Sequence, residues 1–252
     1  MLQNPIFHDY TFGHQERKEL DHVGHFVLPC LLTADTQEQL TESLARVESL
    51  IPGCKKGYEP NRFAAEYDSY LESLIPHPQM LKLAREVLGE EIRYDHCVSL
   101  NRPGGNSGAV WHSHAYAEDD PCYGFVRIFF YVNGFAADDG GLKAVPGSHL
   151  YRDPKIQAAT DDALREGWMA GKTHPETGDP LAIEALSVPP GTVVLMWTHA
   201  AHAVTPRKQE SDTRWTVVYG YYKPGKDPGE RWITPEFEQK LIPGAEELMS
   251  PY

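Results

Sequence analysis

The chain has 252 residues, 41% of them hydrophobic, enough to bury a sizeable core in one β-rich domain. It carries 23 Lys plus Arg against 36 Asp plus Glu, a formal charge of -13, which disfavours a nucleic-acid backbone or an anionic membrane as partner. The opening MLQNPIFHDYTFGHQERKEL lacks a basic stretch followed by an apolar run, and no segment has the length of a bilayer span, so a soluble, cytoplasmic protein is expected.

In chain order, HFVLP (25 to 29) reads as a strand and TQEQLTESLARVESLI as an amphipathic helix. Leu40, Leu44, Val47 and Ile51 fall at helical spacing behind the cap candidates Thr33 and Thr36. PQMLKLAREVLG predicts a second helix, with Met80, Leu83, Ala84, Val87 and Leu88 on one side and a stop at Gly89. From about residue 91 the pattern changes to strands: EIRYDHCVSLN, GAVWHSH, GFVRIFFYVNG, GLKAVPGSH, SVPPGTVVLMWT and RWTVVYGYYKP. Strand follows strand without helices between, as in an antiparallel barrel or sandwich. Residues 150 to 186 interrupt the series with a polar stretch too long for a hairpin turn, which reads as an insertion or lid. The expected organisation is a single domain over 1–252: helical support over about 1–90, a β core over about 91–225 and a tail over 226–252.

Cys30, Cys54, Cys97 and Cys122 are far apart and form no CxxC pair, so they read as thiols. Of the 12 histidines, His8, His14, His22, His25, His77, His96 and His174 have no partner at metal-ligand spacing. His112, His114, His149, His199 and His202 remain. His112 and His114 are two apart at a strand end, so their imidazoles share a face and can converge on one ion, or stand as two surface histidines. On GFVRIFFYVNG, Val126, Ile128, Phe130 and Val132 share one face and Arg127, Phe129 and Tyr131 the other, the pattern of a barrel wall or equally of an edge strand with one solvated face.

The runs WHSH, DDGGLKAVPGSH and PPGTVVLMWTHAAHAVTPRKQESDTRWTVVYGYY together resemble the phytanoyl-CoA dioxygenase family of non-haem iron, 2-oxoglutarate-dependent oxygenases, over roughly residues 20 to 225. The resemblance implies a double-stranded β-helix, that is a jelly-roll, cupin-like barrel, mainly β with flanking helices. It also implies Fe(II) and 2-oxoglutarate as cofactors and dioxygen and a small organic molecule as reactants. By position, His112 matches the first metal ligand, His202 the distal ligand and Arg214 the residue that grips the far carboxylate of 2-oxoglutarate. Thr216, on the same strand face as Arg214, matches a hydroxyl donor to that carboxylate, and Phe129 an aromatic beside the cosubstrate. Arg127 and Tyr131 then look into the barrel mouth as substrate contacts, with Lys143, Lys172 and Arg152 as further basic residues near it. His199 competes with His202, but the interval of twelve to Arg214 favours the later residue. His149 in the PGSH turn is expected to tie that turn down by hydrogen bonds.

Two departures stand out. Position 114, Asp in the family, is His, which makes the expected ligand set three neutral imidazoles, His112, His114 and His202, unless Glu118, Asp119 or Asp120 folds back to supply a carboxylate. Arg207 stands beside the place where the family has Asn. Two other readings stay open: a three-histidine metal oxygenase or isomerase that does not use 2-oxoglutarate, and a non-catalytic binding protein on the same scaffold.

Overall fold

The computed structural model describes residues 4–114, 124–153, 156–225 and 231–250. Glu118, Asp119, Asp120 and Cys122 lie outside these described residues.

The N-terminal third is helical around one strand. Helix α1 (His14–Val23) stops at Gly24, which takes a left-handed φ of 95°. Strand β1 (His25–Leu28) follows, then α2 (Ala34–Leu50), capped by Thr33, whose hydroxyl accepts from the Thr36 backbone N–H. The short helices α3 (Ala64–Tyr67) and α4 (Ser69–Leu74) lead to α5 (Pro78–Leu88), with Pro at its start and Gly89 at its end. Sequence periodicity predicts β1, α2 and α5; α1, α3 and α4 are too short or too polar to announce themselves by an apolar stripe.

Strands dominate the rest: β2 (Arg93–Ser99), β3 (Ala109–His112), β4 (Phe125–Tyr131), β5 (Leu142–Ala144), β6 (Gln157–Ala158), β7 (Glu184–Ala185), β8 (Thr192–Trp197), β9 (His202–Val204) and β10 (Thr216–Tyr222). Helix α6 (Asp161–Glu166) lies between β6 and β7, and α7 (Pro235–Glu238) and α8 (Glu246–Met249) follow β10. The strands make two five-stranded sheets, ordered β1-β8-β4-β10-β2 and β6-β3-β9-β5-β7, with every strand pair antiparallel. This is the jelly roll with flanking helices that the sequence leads one to expect. Among the described residues no helix is long and apolar enough to cross a membrane.

Three apolar layers hold the molecule together. The outer face of the larger sheet, with Val126, Ile128, Phe130, Val193, Leu195 and Val217, packs against Leu40, Leu44 and Val47 of α2 and Met80, Leu83, Ala84 and Val87 of α5. Side chains of this size stabilise by roughly 1.5–3 kcal/mol each when fully buried. Tyr219 and Tyr221 rivet β10 to the helices, donating their hydroxyls to the carbonyls of Leu71 and Ile75 at 2.9 Å each. A second layer between the sheets contains Val98, Phe129, Tyr131, Val194, Met196 and Val218. β4 therefore has no solvated face: it lies between β8 and β10 and all seven of its residues are buried. That removes the edge-strand reading, and places Phe129 and Tyr131 in the barrel interior.

The third layer lies behind the smaller sheet. There Trp111, Val145, Ala201 and Ala203 meet Ile156, Leu164 and Met169 of the 150–186 segment. The segment thus supplies both edge strands of the smaller sheet, β6 and β7, and packs Leu164 and Met169, which lie between them, against that sheet. Lys143 and Lys172 face this side: Lys143 pairs with Asp161, and Lys172 sits over the ring of Trp168, 4.8 Å from its centroid.

His149 ties the PGSH turn to α1, its Nε2–H donating to the Asp21 carbonyl at 2.7 Å. Its ring lies so close to Gly24 that a Cβ there would stand 2.5 Å from Nδ1. Burial draws both His149 and His25 down to about 4. Between about pH 6.5 and 4 the unfolded chain therefore binds protons at these positions that the folded chain does not, and stability falls as pH drops through that window. The expected loss is on the order of a few kcal/mol at the acid end. Urea unfolding at a series of pH values checks it; the slope should flatten in His25→Gln, and an unchanged midpoint between pH 7 and 4.5 would contradict the assignment.

Candidate metal centre

The two sheets leave a cavity of about 210 Å³ between them, whose lining includes His112, His114, His202, Arg102, Arg127, Phe129, Tyr131, Arg214 and Trp232. On the smaller sheet β3 pairs with β9 so that His112 stands directly opposite His202. His114 lies two residues past the strand end, where its backbone N–H donates to the Thr198 carbonyl at 3.2 Å and Ser113 is tied to Asp153 and Ile156. The outcome is a cluster in which one ligand atom from each of His112, His114 and His202 lies within 4.8 Å of the other two.

The hydrogen bonds behind the cluster fix its polarity. His112 Nδ1–H donates to the Val110 carbonyl at 2.8 Å and His202 Nδ1–H to the Ala200 carbonyl at 2.9 Å. A carbonyl only accepts, so each ring carries its proton on Nδ1 and keeps the Nε2 lone pair. Burial pushes all three imidazoles below their ordinary value, and the Arg127 guanidinium pushes in the same direction. Neutral rings with bare nitrogens are what a divalent ion of borderline softness requires. No carboxylate belongs to this cluster among the described residues.

His199 is buried in the turn before β9 and stands outside the cluster. A second grouping of His22, His174 and Glu176 has suitable spacing, but His174 has both ring nitrogens in use: Nε2 with the His22 carbonyl at 3.0 Å and Nδ1 with the Glu176 backbone N–H at 3.2 Å.

At the other end of the cavity the strand rows bring cations together. Arg214 is 2% exposed and its guanidinium lies over Tyr131 and Phe135, 5.3 and 5.6 Å from the ring centroids. One of its terminal nitrogens donates to the Gly140 carbonyl, while Nε has no partner; the Thr216 hydroxyl, equally buried, has none either. Burial draws the guanidinium down to about 10, which leaves it charged at neutral pH. Unsatisfied buried donors of this kind call for a ligand, and a carboxylate, planar and doubly accepting, fits them. Arg207 props the same corner: it pairs with Asp139 at 3.0 Å, beside the Gly140 carbonyl that Arg214 uses.

Sequence reasoning misses Arg102 and Trp232. Arg102 joins the site because its backbone pairs with Arg214 across an isolated bridge, and its Nη1 is held by Asn106 Oδ1 and the Gly108 carbonyl at 2.9 and 2.8 Å. The run NRPGG gives no sign of that pairing. Lys143 and Lys172, expected near the mouth, are absent from the lining because they point to the opposite side of the smaller sheet.

The family model for phytanoyl-CoA dioxygenase (PhyH) matches residues 20–212. Among curated proteins the chain is similar to the dioxygenase lolE1 of Epichloe uncinata, 28% identical over 163 residues, an alignment that covers 62% of this chain and 56% of that protein. It is also similar to a probable alpha-ketoglutarate-dependent hypophosphite dioxygenase of Stutzerimonas stutzeri, 22% identical over 235 residues, covering 83% of this chain and 78% of that one. Among solved structures, HygX from Streptomyces hygroscopicus with nickel and 2-oxoglutarate bound superposes with a TM-score of 0.64 at 17% identity, covering 87% of this chain and 90% of HygX. The epimerase SnoN, solved with Fe3+, alpha ketoglutarate and nogalamycin RO, gives 0.59 at 16% identity, covering 86% and 93%. With 193 of its residues inside the family model, the chain belongs to the phytanoyl-CoA dioxygenase family.

Proposed function

We propose that the protein is an iron(II)- and 2-oxoglutarate-dependent oxygenase acting on a small organic molecule, with His112, His114 and His202 as its metal ligands. The observation that carries this reading is one cavity lined at one end by three neutral imidazoles and at the other by Arg214, whose buried Nε, like the Thr216 hydroxyl two residues on, has no partner. Family membership supports it, and the structures of HygX and SnoN described above hold nickel or Fe3+ together with 2-oxoglutarate.

The roles follow from the rows of the sheets. His202 and Val204 are two residues apart on β9, a span of roughly 7 Å, comparable to a five-carbon diacid. His112, His114 and His202 would hold the ion that the keto acid end of 2-oxoglutarate meets, and Arg214, Thr216 and Arg102 would hold its far carboxylate. When bound, the iron supplies the activation of dioxygen, coupled to decarboxylation of 2-oxoglutarate to succinate. The chain's own contribution is to orient and to keep water out. Phe129 and Tyr131 stack along the cosubstrate row with ring centroids 6.1 Å apart, and Arg127, on the same face of β4, contacts the substrate beside the ion. We assign the whole chain to one domain, with the 150–186 segment as a buttress of the metal-bearing sheet.

Elemental analysis and anaerobic 2-oxoglutarate titration test the assignment together. The double variant His112→Ala/His202→Ala should lose its metal, and Arg214→Ala should keep the metal but bind 2-oxoglutarate more weakly, by about 1.5–3 kcal/mol for each charged hydrogen bond lost. Metal content unchanged in the double variant would end the reading.

His114→Asp isolates the unusual ligand. If His114 reaches the ion, the substitution changes iron affinity and succinate production, and the metal-free variant is less stable than the metal-free parent because it buries an anion without its cation. Identical iron affinity and identical succinate yield in parent and variant would remove His114 from the ligand set.

A further inference from the structure

At the end of the inner face where Arg127 lies, the larger sheet carries a buried imidazole with an unused nitrogen. His96 is 1% exposed, its Nδ1 bonds Asp95 Oδ2 at 2.6 Å, and its Nε2 has no hydrogen-bond partner. Asp95 is itself only 2% exposed. Neighbouring strand residues ordinarily point to opposite faces, so this pair needs a local cause. The β2–β10 register provides it: His96 pairs with Gly220 and Tyr94 with Tyr221, which leaves Asp95 as the extra residue of a bulge. The bulge turns the carboxylate back toward the imidazole.

The ring stands on the sheet face that lines the cavity, beside the lining residues Arg127 and Trp232 and not itself among them. Val98, Val218 and Phe129, cavity residues all, form one cross-strand row, and His96, Gly220 and Arg127 form the next. A Cβ at position 220 would stand 2.7 Å from His96 Cε1 and 2.9 Å from Phe125 Cζ. Glycine there lets the imidazole lie across β10 toward Arg127. Trp232, part of the cavity wall, closes on the ring at 5.4 Å, and Phe125 stacks on it at 6.0 Å. A buried polar atom without a partner costs about 1–3 kcal/mol, and Asp95, the bulge, Gly220 and two aromatic rings all serve to hold this one in place.

Because the Asp95 carboxylate only accepts, Nδ1 is the donor and Nε2 of the neutral ring presents a lone pair. We infer that His96, held by Asp95, accepts a hydrogen bond from an O–H or N–H of the substrate, so that the substrate class is a small molecule bearing a free hydroxyl or amine. This rests on the oxygenase reading above. His96 is a positioning residue for the molecule that is oxidised, and takes no part in holding the metal or 2-oxoglutarate.

The test uses the iron(II)-loaded chain with 2-oxoglutarate and dioxygen, following succinate with no substrate and with matched probes: 1-butanol, butylamine, 4-hydroxybutyrate and 4-aminobutyrate, each beside its O-methyl or N-trimethyl counterpart. Free-donor probes should raise succinate formation above the substrate-free rate and their blocked counterparts should not; the alcohol and amine arms tell which donor is taken. His96→Phe, which keeps a ring between Phe125 and Trp232, should leave substrate-free succinate formation and 2-oxoglutarate affinity as in the parent while raising KM for the responding probe roughly tenfold. His96→Gln should recover part of that loss through its amide oxygen, and Asp95→Asn should raise KM without changing the substrate-free rate. Blocked probes acting as well as free ones, no probe acting at all, or His96→Phe and Asp95→Asn both responding like the parent would overturn the inference. A parent that neither binds 2-oxoglutarate nor forms succinate would overturn the oxygenase reading itself, which separates the two failures.

Discussion

The pairing of two short strands, β3 with β9, governs the site. Its register sets His112 against His202, and a shift of one residue would turn each imidazole to the opposite face of the sheet. Because β9 is only three residues long, its own ladder cannot hold that register. The register is held from outside, by β5 on the other side of β9, by the carbonyls of Val110 and Ala200 that fix the rings, and by the apolar layer behind. The larger sheet, backed by α2 and α5, supplies the rigid opposite wall on which Arg214, Thr216, Phe129 and Arg127 are carried.

Charge is distributed in the cavity to suit such an assembly. Three imidazoles, His202 buried and His112 and His114 half-buried, cost little while neutral, and desolvation keeps them so. The guanidiniums of Arg102 and Arg214 are spread over neutral acceptors and aromatic faces. An anion entering between them finds oriented donors and little to rearrange, the general condition for tight binding at small entropic cost.

Much of the fold is legible from residue pattern alone. The period of α2 and α5, the alternation in β4 and the Gly, Pro and Asn breaks between strands each follow from a local rule, and the family motifs add the order of the barrel. His112, His202 and Arg214 sit in motifs and line one cavity, and Thr216 stands two residues past Arg214 at the start of β10. What escapes is whatever depends on contacts between distant strands. Arg102 enters through a bridge to Arg214, and Trp232 through the closure of the C-terminal segment. His96 looks like any strand histidine until a bulge in β2 gives it Asp95. The short helices α1, α3 and α4 follow the same logic, since tertiary packing supplies what their sequences lack.

Asp161, near the start of α6, accepts from Trp111 Nε1 at 2.8 Å and pairs with Lys143, so one carboxylate clasps both β3 and β5 to the 150–186 segment. The strands so clasped are the two that flank β9. Local unfolding of the segment would therefore remove a support from the strands on either side of the ligand-bearing β9. Anything that orders the histidines from the front also slows the peeling of this layer from the back, which makes resistance to proteolysis of a surface segment and occupancy of a buried site two readings of the same equilibrium.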